Sequence, residues 1–351
     1  MSIPYHKFGQ TTIAKVSNSD ELKQILIDPW LESETIIIKP NWGSNLPAAF
    51  NDSKTLRMIL EVLDSNIVVT ESHTHSFIYP LLEDVMSFVI EDKEVNWEWF
   101  IKGDGWKWLI ENPDWDWFKK DGYWDQLKKE EQAFLDEFGF TDLFKEFNVS
   151  YINVTDEIWN ERIADPSEVK KLVESRFKPV KVDQLYSMVP KKLYDLRGST
   201  FISFAKVKLY ASFTMKNIFG MIPDPLRPWW HGINESRIVT SINDINKIYS
   251  SLFNVYGICD ALNTTSIPDP EGKFHDLFAG NYKIIDGFGV VAFGRHLVSL
   301  DAILLNLTDH WIKQTAEFNR IQIDMSQEEF GAYDKGFLKE SKLKVGNWLS
   351  P

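Results

Sequence analysis

Four lysines, an arginine and two asparagines stand where runs of strand-forming residues give way to turns, an arrangement suited to binding an anion. Lys39-Pro40-Asn41 follows the apolar run 35–38, and Lys206-Val207-Lys208 follows the run 200–205. Lys216-Asn217 opens the block that continues Ile218-Phe219-Gly220, and Arg227 lies in a proline-rich turn ending at His231. Between Ser199 and His231 these four cations face one acid, Asp224, in a chain of 38 basic and 51 acidic side chains and net charge -13. Lysine supplies a point charge for a carboxylate or phosphate, and asparagine orients the group without adding charge. We expect Lys39, Asn41, Lys208, Lys216, Asn217 and Arg227 to bind substrate and Lys206 to take part in catalysis. The plain structural alternatives are solvated strand-end lysines and, for Lys216-Asn217, a helix terminus with a capping amide.

The histidines suggest a second kind of chemistry. Glu71, His73 and His75 are spaced two apart, so an extended backbone aims all three to one side. A carboxylate and two imidazoles are acceptable ligands for zinc, iron or manganese, which makes these three the candidate set for a divalent metal. His73 and His231 are also candidate general acids or bases, because imidazole titrates near neutral pH. His231 follows Trp229-Trp230 and reads equally well as a packed turn residue. Asp301 reads as a charge favoured at a helix start. The single cysteine, Cys259, rules out an internal disulfide and the thiolate cage of an iron–sulfur cluster. A glycine-rich dinucleotide turn, a Walker loop and a nucleophile elbow are all missing.

The elements that must position these residues read as an α/β protein: a largely parallel open sheet flanked by helices, with a Trp-rich acidic insertion. Residues 35–38 and 66–70 read as strands, with a helix over 53–63 between them whose Leu56, Ile59, Leu60 and Leu63 share a face. A short helix over 141–147 precedes strands at 149–154 and 200–205; a helix over 242–253, strands at 282–285 and 289–293 and a helix over about 298–313 follow. Cys259-Asp260 ends a further apolar stretch. The core is expected from 1–80 and 141–314, the insertion from 81–140, and a C-terminal extension without clear pattern from 315–351. In open α/β sheets the ligand sits beyond the carboxyl ends of the strands, where Lys39, Glu71 and Lys206 all fall.

Within the insertion, Trp97, Trp106, Trp115 and Trp124 recur every nine residues, with Trp99, Trp108 and Trp117 in step. Turn residues such as Asp104, Asn112 and Asp121 end the blocks and serve as N-caps for short helices; a meander of short strands is the rival reading. Residues 81–140 hold 16 acids and 7 bases, so this segment carries -9 of the net charge. It reads as a small aromatic core, with a ligand lid or a partner-docking surface as the alternative.

The ordered set Ile38-Lys39-Pro40-Asn41, Lys206-Val207-Lys208, Lys216-Asn217-Ile218-Phe219-Gly220 with Pro223, His231 and Ser299-Leu300-Asp301-Ala302 resembles the family known as domain of unknown function 362. The resemblance covers about 35–75 and 140–310, and the Lys-Asn-Ile-Phe-Gly block is its most specific part. Many members carry a ferredoxin-like cluster module, which this chain lacks the cysteines to build. Glu71-Ser72-His73 stands where the family tends to have a glycine-bearing Asp-Ser motif.

The net acidity argues against general nucleic-acid binding. With no apolar segment near the roughly 18 residues needed to span a bilayer and no signal-like start, a cytoplasmic protein without membrane association is expected. Two functions from different classes fit. One is an enzyme acting on a small anionic metabolite through lysine-anchored binding and histidine or metal-assisted chemistry. The other is an accessory protein that holds a ligand or metal and docks a protein partner, or a second copy of itself, through the Trp-rich insertion.

Overall fold

The structure is a computed structural model that describes residues 2–72, 123–208, 213–223, 227–231, 236–265, 284–285, 287–308 and 313–349. Its strands are β1 (Tyr5–Phe8), β2 (Thr11–Lys15), β3 (Thr35–Lys39), β4 (Asn66–Glu71), β5 (Ser150–Asn153), β6 (Thr200–Lys206), β7 (Asn254–Ala261), β8 (Thr264–Thr265), β9 (Ile284–Ile285) and β10 (Val290–Gly294). The helices of the first half are α1 (Ser19–Ile25), α2 (Ser53–Leu60), α3 (Tyr123–Glu137), α4 (Phe140–Glu146), α5 (Val154–Trp159), α6 (Pro166–Glu174) and α7 (Lys191–Asp195). Those of the second half are α8 (Thr214–Phe219), α9 (Arg227–His231), α10 (Ile238–Leu252), α11 (Leu297–Thr308), α12 (Lys313–Phe330) and α13 (Gly336–Val345).

Eight strands form one mixed sheet in the order β1-β2-β10-β7-β6-β3-β4-β5. The five from β7 to β5 are parallel, and the β1, β2 and β10 side is antiparallel. After β3 the chain builds outward through β4 and β5, then returns to the other flank of β3 with β6 and β7. The strand order therefore reverses between β3 and β6. Crevices that bind ligands in open α/β sheets form at such reversals, beyond the carboxyl ends of the strands.

Strand alternation divides the core between the two faces. Ile37, Phe201, Ala205 and Cys259 point to the face covered by α6, α8, α10 and α11, while Ile36, Ile38, Ile202, Phe204 and Ile258 point to the α2 and α4 face. Helix α2 shows how the local sequence produces this. Asp52 caps it by accepting from the Thr55 backbone N–H, and Leu56, Ile59 and Leu60 recur at helical spacing and are buried. Each such side chain contributes about 1.5–3 kcal/mol on burial. The helix stops at Leu60, three residues before the apolar pattern does.

Two boundaries differ from the sequence reading. The end of the expected insertion belongs to the core, because Leu127, Phe134 and Phe140 are buried and the Trp42 ring lies 5.5 Å from Phe134 and 4.5 Å from Phe140. Trp97, Trp99, Trp106, Trp108, Trp115 and Trp117 lie outside the described residues; the backbone of Trp124 lies in the first turn of α3. The expected C-terminal extension is also part of the core. Helices α12 and α13 pack on α11, and Ile323, Val345 and Leu349 are buried in the cluster that holds Phe201 and Cys259. Among the described residues no helix is long and apolar enough to cross a membrane.

Candidate functional site

At the reversal between β3 and β6, the strand-end residues are buried rather than solvated. Lys39 is 3%, Lys206 2% and Lys208 6% exposed, which removes the reading of these lysines as surface charges. Burial of an ammonium demands partners. Lys39 Nζ donates to Glu71 Oε2 at 2.7 Å, to the Pro40 carbonyl at 2.9 Å and to Asn217 Oδ1 at 3.1 Å. Three acceptors satisfy its three donors. Lys206 Nζ lies 2.7 Å from Asp260 Oδ2, as the pairing of Lys206 with Asp260 across β6 and β7 requires.

Lys208 is held differently. Its Nζ donates to Asn41 Oδ1 at 2.8 Å and to the Ala49 carbonyl at 3.0 Å, both neutral oxygens. Among the described residues no carboxylate reaches it at ion-pairing distance. Burial first, then the charges of Lys216, Lys39 and Lys206, pull its pKa down to about 7, with Glu71 acting weakly in the opposite direction. Burial also lowers the pKa of Lys39, against the nearby Glu71 carboxylate that raises it, and Arg227 adds to the lowering. Five cations thus feel one another across this edge of the sheet.

Asparagines bind the two halves of the site together. Asn217, inside α8, donates to the Lys39 carbonyl at 3.0 Å and to Ser203 Oγ at 3.2 Å, while its Oδ1 accepts from Asn41 Nδ2 at 3.2 Å. It is neither a helix-end cap nor a solvated amide. Asn51 accepts from the Asn41 backbone N–H at 2.7 Å and donates to Asp260 Oδ2 at 3.2 Å, which closes the loop after β3 and ties it to β7. By strand alternation Lys39 belongs to the α8 face and Lys206 to the α2 face. The Asn41, Asn51 and Asn217 bonds carry one continuous network over the strand ends between them.

Helix α8 is fixed from below. Asp301, fully buried inside α11 rather than at its start, accepts from the Thr214 N–H at 3.0 Å, Thr214 Oγ1 at 2.5 Å and the Met215 N–H at 2.9 Å. The helix whose N-terminus it favours is therefore α8. Burial pushes its pKa up to about 7, against those three bonds to its charged form. Gly220, directly after α8, lets the chain pass the ion pair closely: a Cβ there would lie 2.6 Å from Lys39 Nζ and 3.1 Å from Glu71 Oε1.

Arg227 enters from α9, donating through Nε to the Ile222 carbonyl at 3.2 Å and through Nη2 to Ser72 Oγ. Ser72 Oγ in turn donates to the Gly220 carbonyl at 2.9 Å. His231 packs edge-on against Phe219 with ring centroids 4.9 Å apart. Glu71, one of the three expected metal ligands, is bonded to Lys39 and to the Ser72 N–H. His73 and His75 lie outside the described residues. Among the described residues no group of three His, Cys, Asp or Glu side chains gathers to hold a metal.

The sequence reading missed one titratable group. Glu131 of α3 accepts from the Tyr151 hydroxyl at 2.6 Å and from Asn153 Nδ2 at 2.5 Å. Asn153 pairs in register with Glu71, so this carboxyl sits over the carboxyl ends of β4 and β5. Burial pushes its pKa up to about 7, the bonds to Tyr151 and Asn153 oppose this, and the charges of Glu71 and Asp156 add to it. In sequence it is one of 16 acids in an acidic segment, with nothing in its spacing to set it apart.

Comparisons of the chain with protein-family models, with curated proteins and with solved structures find no match.

Proposed function

We propose that the network at the carboxyl ends of β3 and β6 is the active site of an enzyme, akin to the domain of unknown function 362 proteins, that acts on a small metabolite bearing a carboxylate or phosphate. The observation that carries this reading is Lys208, a buried cation among other lysines with two neutral oxygens as its partners. As an ammonium it has one donor left for an anion, and an anion relieves the repulsion from Lys39, Lys206 and Lys216. As an amine it is a base poised near neutral pH. Lys39, saturated by three acceptors, orients Asn217 and Glu71, while Lys208, Lys216 and Arg227 meet the ligand. His73, His75 and His231 remain candidates for acid–base or metal-assisted steps on sequence grounds.

The natural test compares wild type with Lys208→Met. Removing Lys206 is less clean, because it strands Asp260 as a buried charge, and breaking a buried pair costs about 3–5 kcal/mol. Thermal unfolding with added phosphate, oxalate or pyruvate should rise with concentration in the wild type, by about 2.7 kcal/mol at one hundred times the dissociation constant. The Lys208→Met protein should fold and show no such rise. Equal rises in both proteins, or no rise with any of the anions, would defeat the proposal.

A further inference from the structure

We propose that Lys208 captures its substrate covalently, as an imine with the carbonyl of a small 2-oxo acid. The inference rests on the anion-site reading above and narrows its substrate class. Two features of the geometry lead to it. First, Nζ is oriented by two carbonyl-type acceptors, Asn41 Oδ1 at 2.8 Å and Ala49 O at 3.0 Å. A neutral amine has two N–H groups, so both are committed and the nitrogen lone pair points away from these partners. Second, the charged groups that act on it most from the neighbouring elements are mostly cationic: Lys216 of α8, Lys39 of β3 and Lys206 of β6, with Glu71 of β4 acting more weakly in the opposite direction; Asp260 of β7 is held by Lys206. Cations beside an amine favour its unprotonated form and supply a seat for a substrate carboxylate. Lys39 and Lys206 are each bonded to a carboxylate at 2.7 Å, whereas Lys208 is held by two neutral oxygens, so of these three Lys208 is the one suited to attack.

The chemistry balances without an oxidant or reductant. The Lys208 nitrogen lone pair forms a bond to the carbonyl carbon, and the carbonyl π electrons move to oxygen. The nitrogen proton passes to that oxygen, a second proton from solvent joins it, and the C–O bond breaks to release water. The product is a protonated imine that draws electrons from the bond next to the former carbonyl carbon. An imine needs a carbonyl and the anion-site reading needs a carboxylate, a pair that a 2-oxo acid carries on neighbouring carbons and that a simple aldehyde or a phosphate ester lacks.

The full chain incubated with pyruvate, or with glyoxylate, and sodium cyanoborohydride should gain the mass of one reduced adduct, and peptide mapping should place it on Lys208. Trapping should speed up as pH rises through about 7, where the Lys208 amine becomes the main form. The Lys208→Arg variant should give no adduct at this position and retain anion-dependent thermal stabilisation. A wild-type adduct spread over surface lysines, or on Lys206 or Lys216 instead, overturns the proposal, and mapping the wild type decides this even if the variant does not fold. Thermal stabilisation by pyruvate without any trapped adduct overturns the imine while leaving the anion site standing. Neither stabilisation nor adduct overturns both.

Discussion

Burial and the charges of Lys216, Lys39 and Lys206 pull the Lys208 pKa down to about 7, so the cause lies in its surroundings rather than in its own sequence context. That gives a prediction with a definite sign. Below about pH 7 folded and unfolded chains both hold the proton, and the penalty for burying this charge is fully present. Between about pH 7 and the ordinary lysine range near pH 10 the folded chain sheds the proton first, so the penalty fades and stability rises. Urea unfolding of wild type and Lys208→Met across that range should show the wild type gaining relative to the variant; parallel pH profiles would mean that Lys208 titrates normally. At this scale the sequence named most of the network, since Lys39, Asn41, Glu71, Lys206, Lys208, Asn217 and Arg227 all take part in it. It gave no sign of Asn51 or Ser203, and it named Ser72 and Asp260 without their partners, because spacing along the chain does not reveal which residues meet across strands. The role of Asp301 was misread for the same reason: its charge serves α8, a helix 87 positions away in sequence.

Helix α8 and the turn after it decide whether the lysines converge. Asp301 holds its start, Asn246 of α10 donates to the Met215 carbonyl at 2.8 Å, and Gly220 lets the chain pass Lys39. Gly220→Ala would place a methyl 2.6 Å from Lys39 Nζ and 2.9 Å from its Cε, and the ammonium cannot withdraw without loosening Glu71 and Asn217. Such overpacking costs about 1–3 kcal/mol. Chemical unfolding should record a loss of that size together with weaker anion stabilisation, while Gly43→Ala, with nothing within 4 Å of the new methyl, should show neither. A Gly220→Ala protein as stable as the wild type would show that the ion pair is not held where the structure places it. Apolar periodicity located β3, β4, β5, β6, β10, α2, α10 and α11 to within a few residues. It missed the β1–β2 hairpin, where Tyr5–Phe8 alternates weakly and is largely exposed, and the amphipathic α6, whose two buried valines are too few to mark a face.

For the molecule as a whole, the reversal of strand order between β3 and β6 gathers the site, and it could not be read from the sequence because strand order depends on pairing rather than on local pattern. The C-terminal helices were illegible too: α12 and α13 are mostly polar, and among the described side chains those they bury, such as Ile323, Ser326, Ser341 and Val345, are scattered. They nevertheless brace the sheet, with the Phe337 ring 2.7 Å from where a Cβ on Gly9 would stand. Removing residues 332–351 strips Val345 and Leu349 from the core and should cost at least about 3 kcal/mol, from two side chains at about 1.5 kcal/mol or more each. A truncated chain with an unchanged urea midpoint would make the tail an appendage after all. The central claim concerns the carboxyl edge of the sheet and has a direct measurement: titration calorimetry of wild type and Lys208→Met with phosphate and with pyruvate. The account predicts one saturable site per wild-type chain for at least one of these anions, and binding weakened at least about tenfold in the variant, the equivalent of about 1.4 kcal/mol. Equal affinities in the two proteins would contradict it.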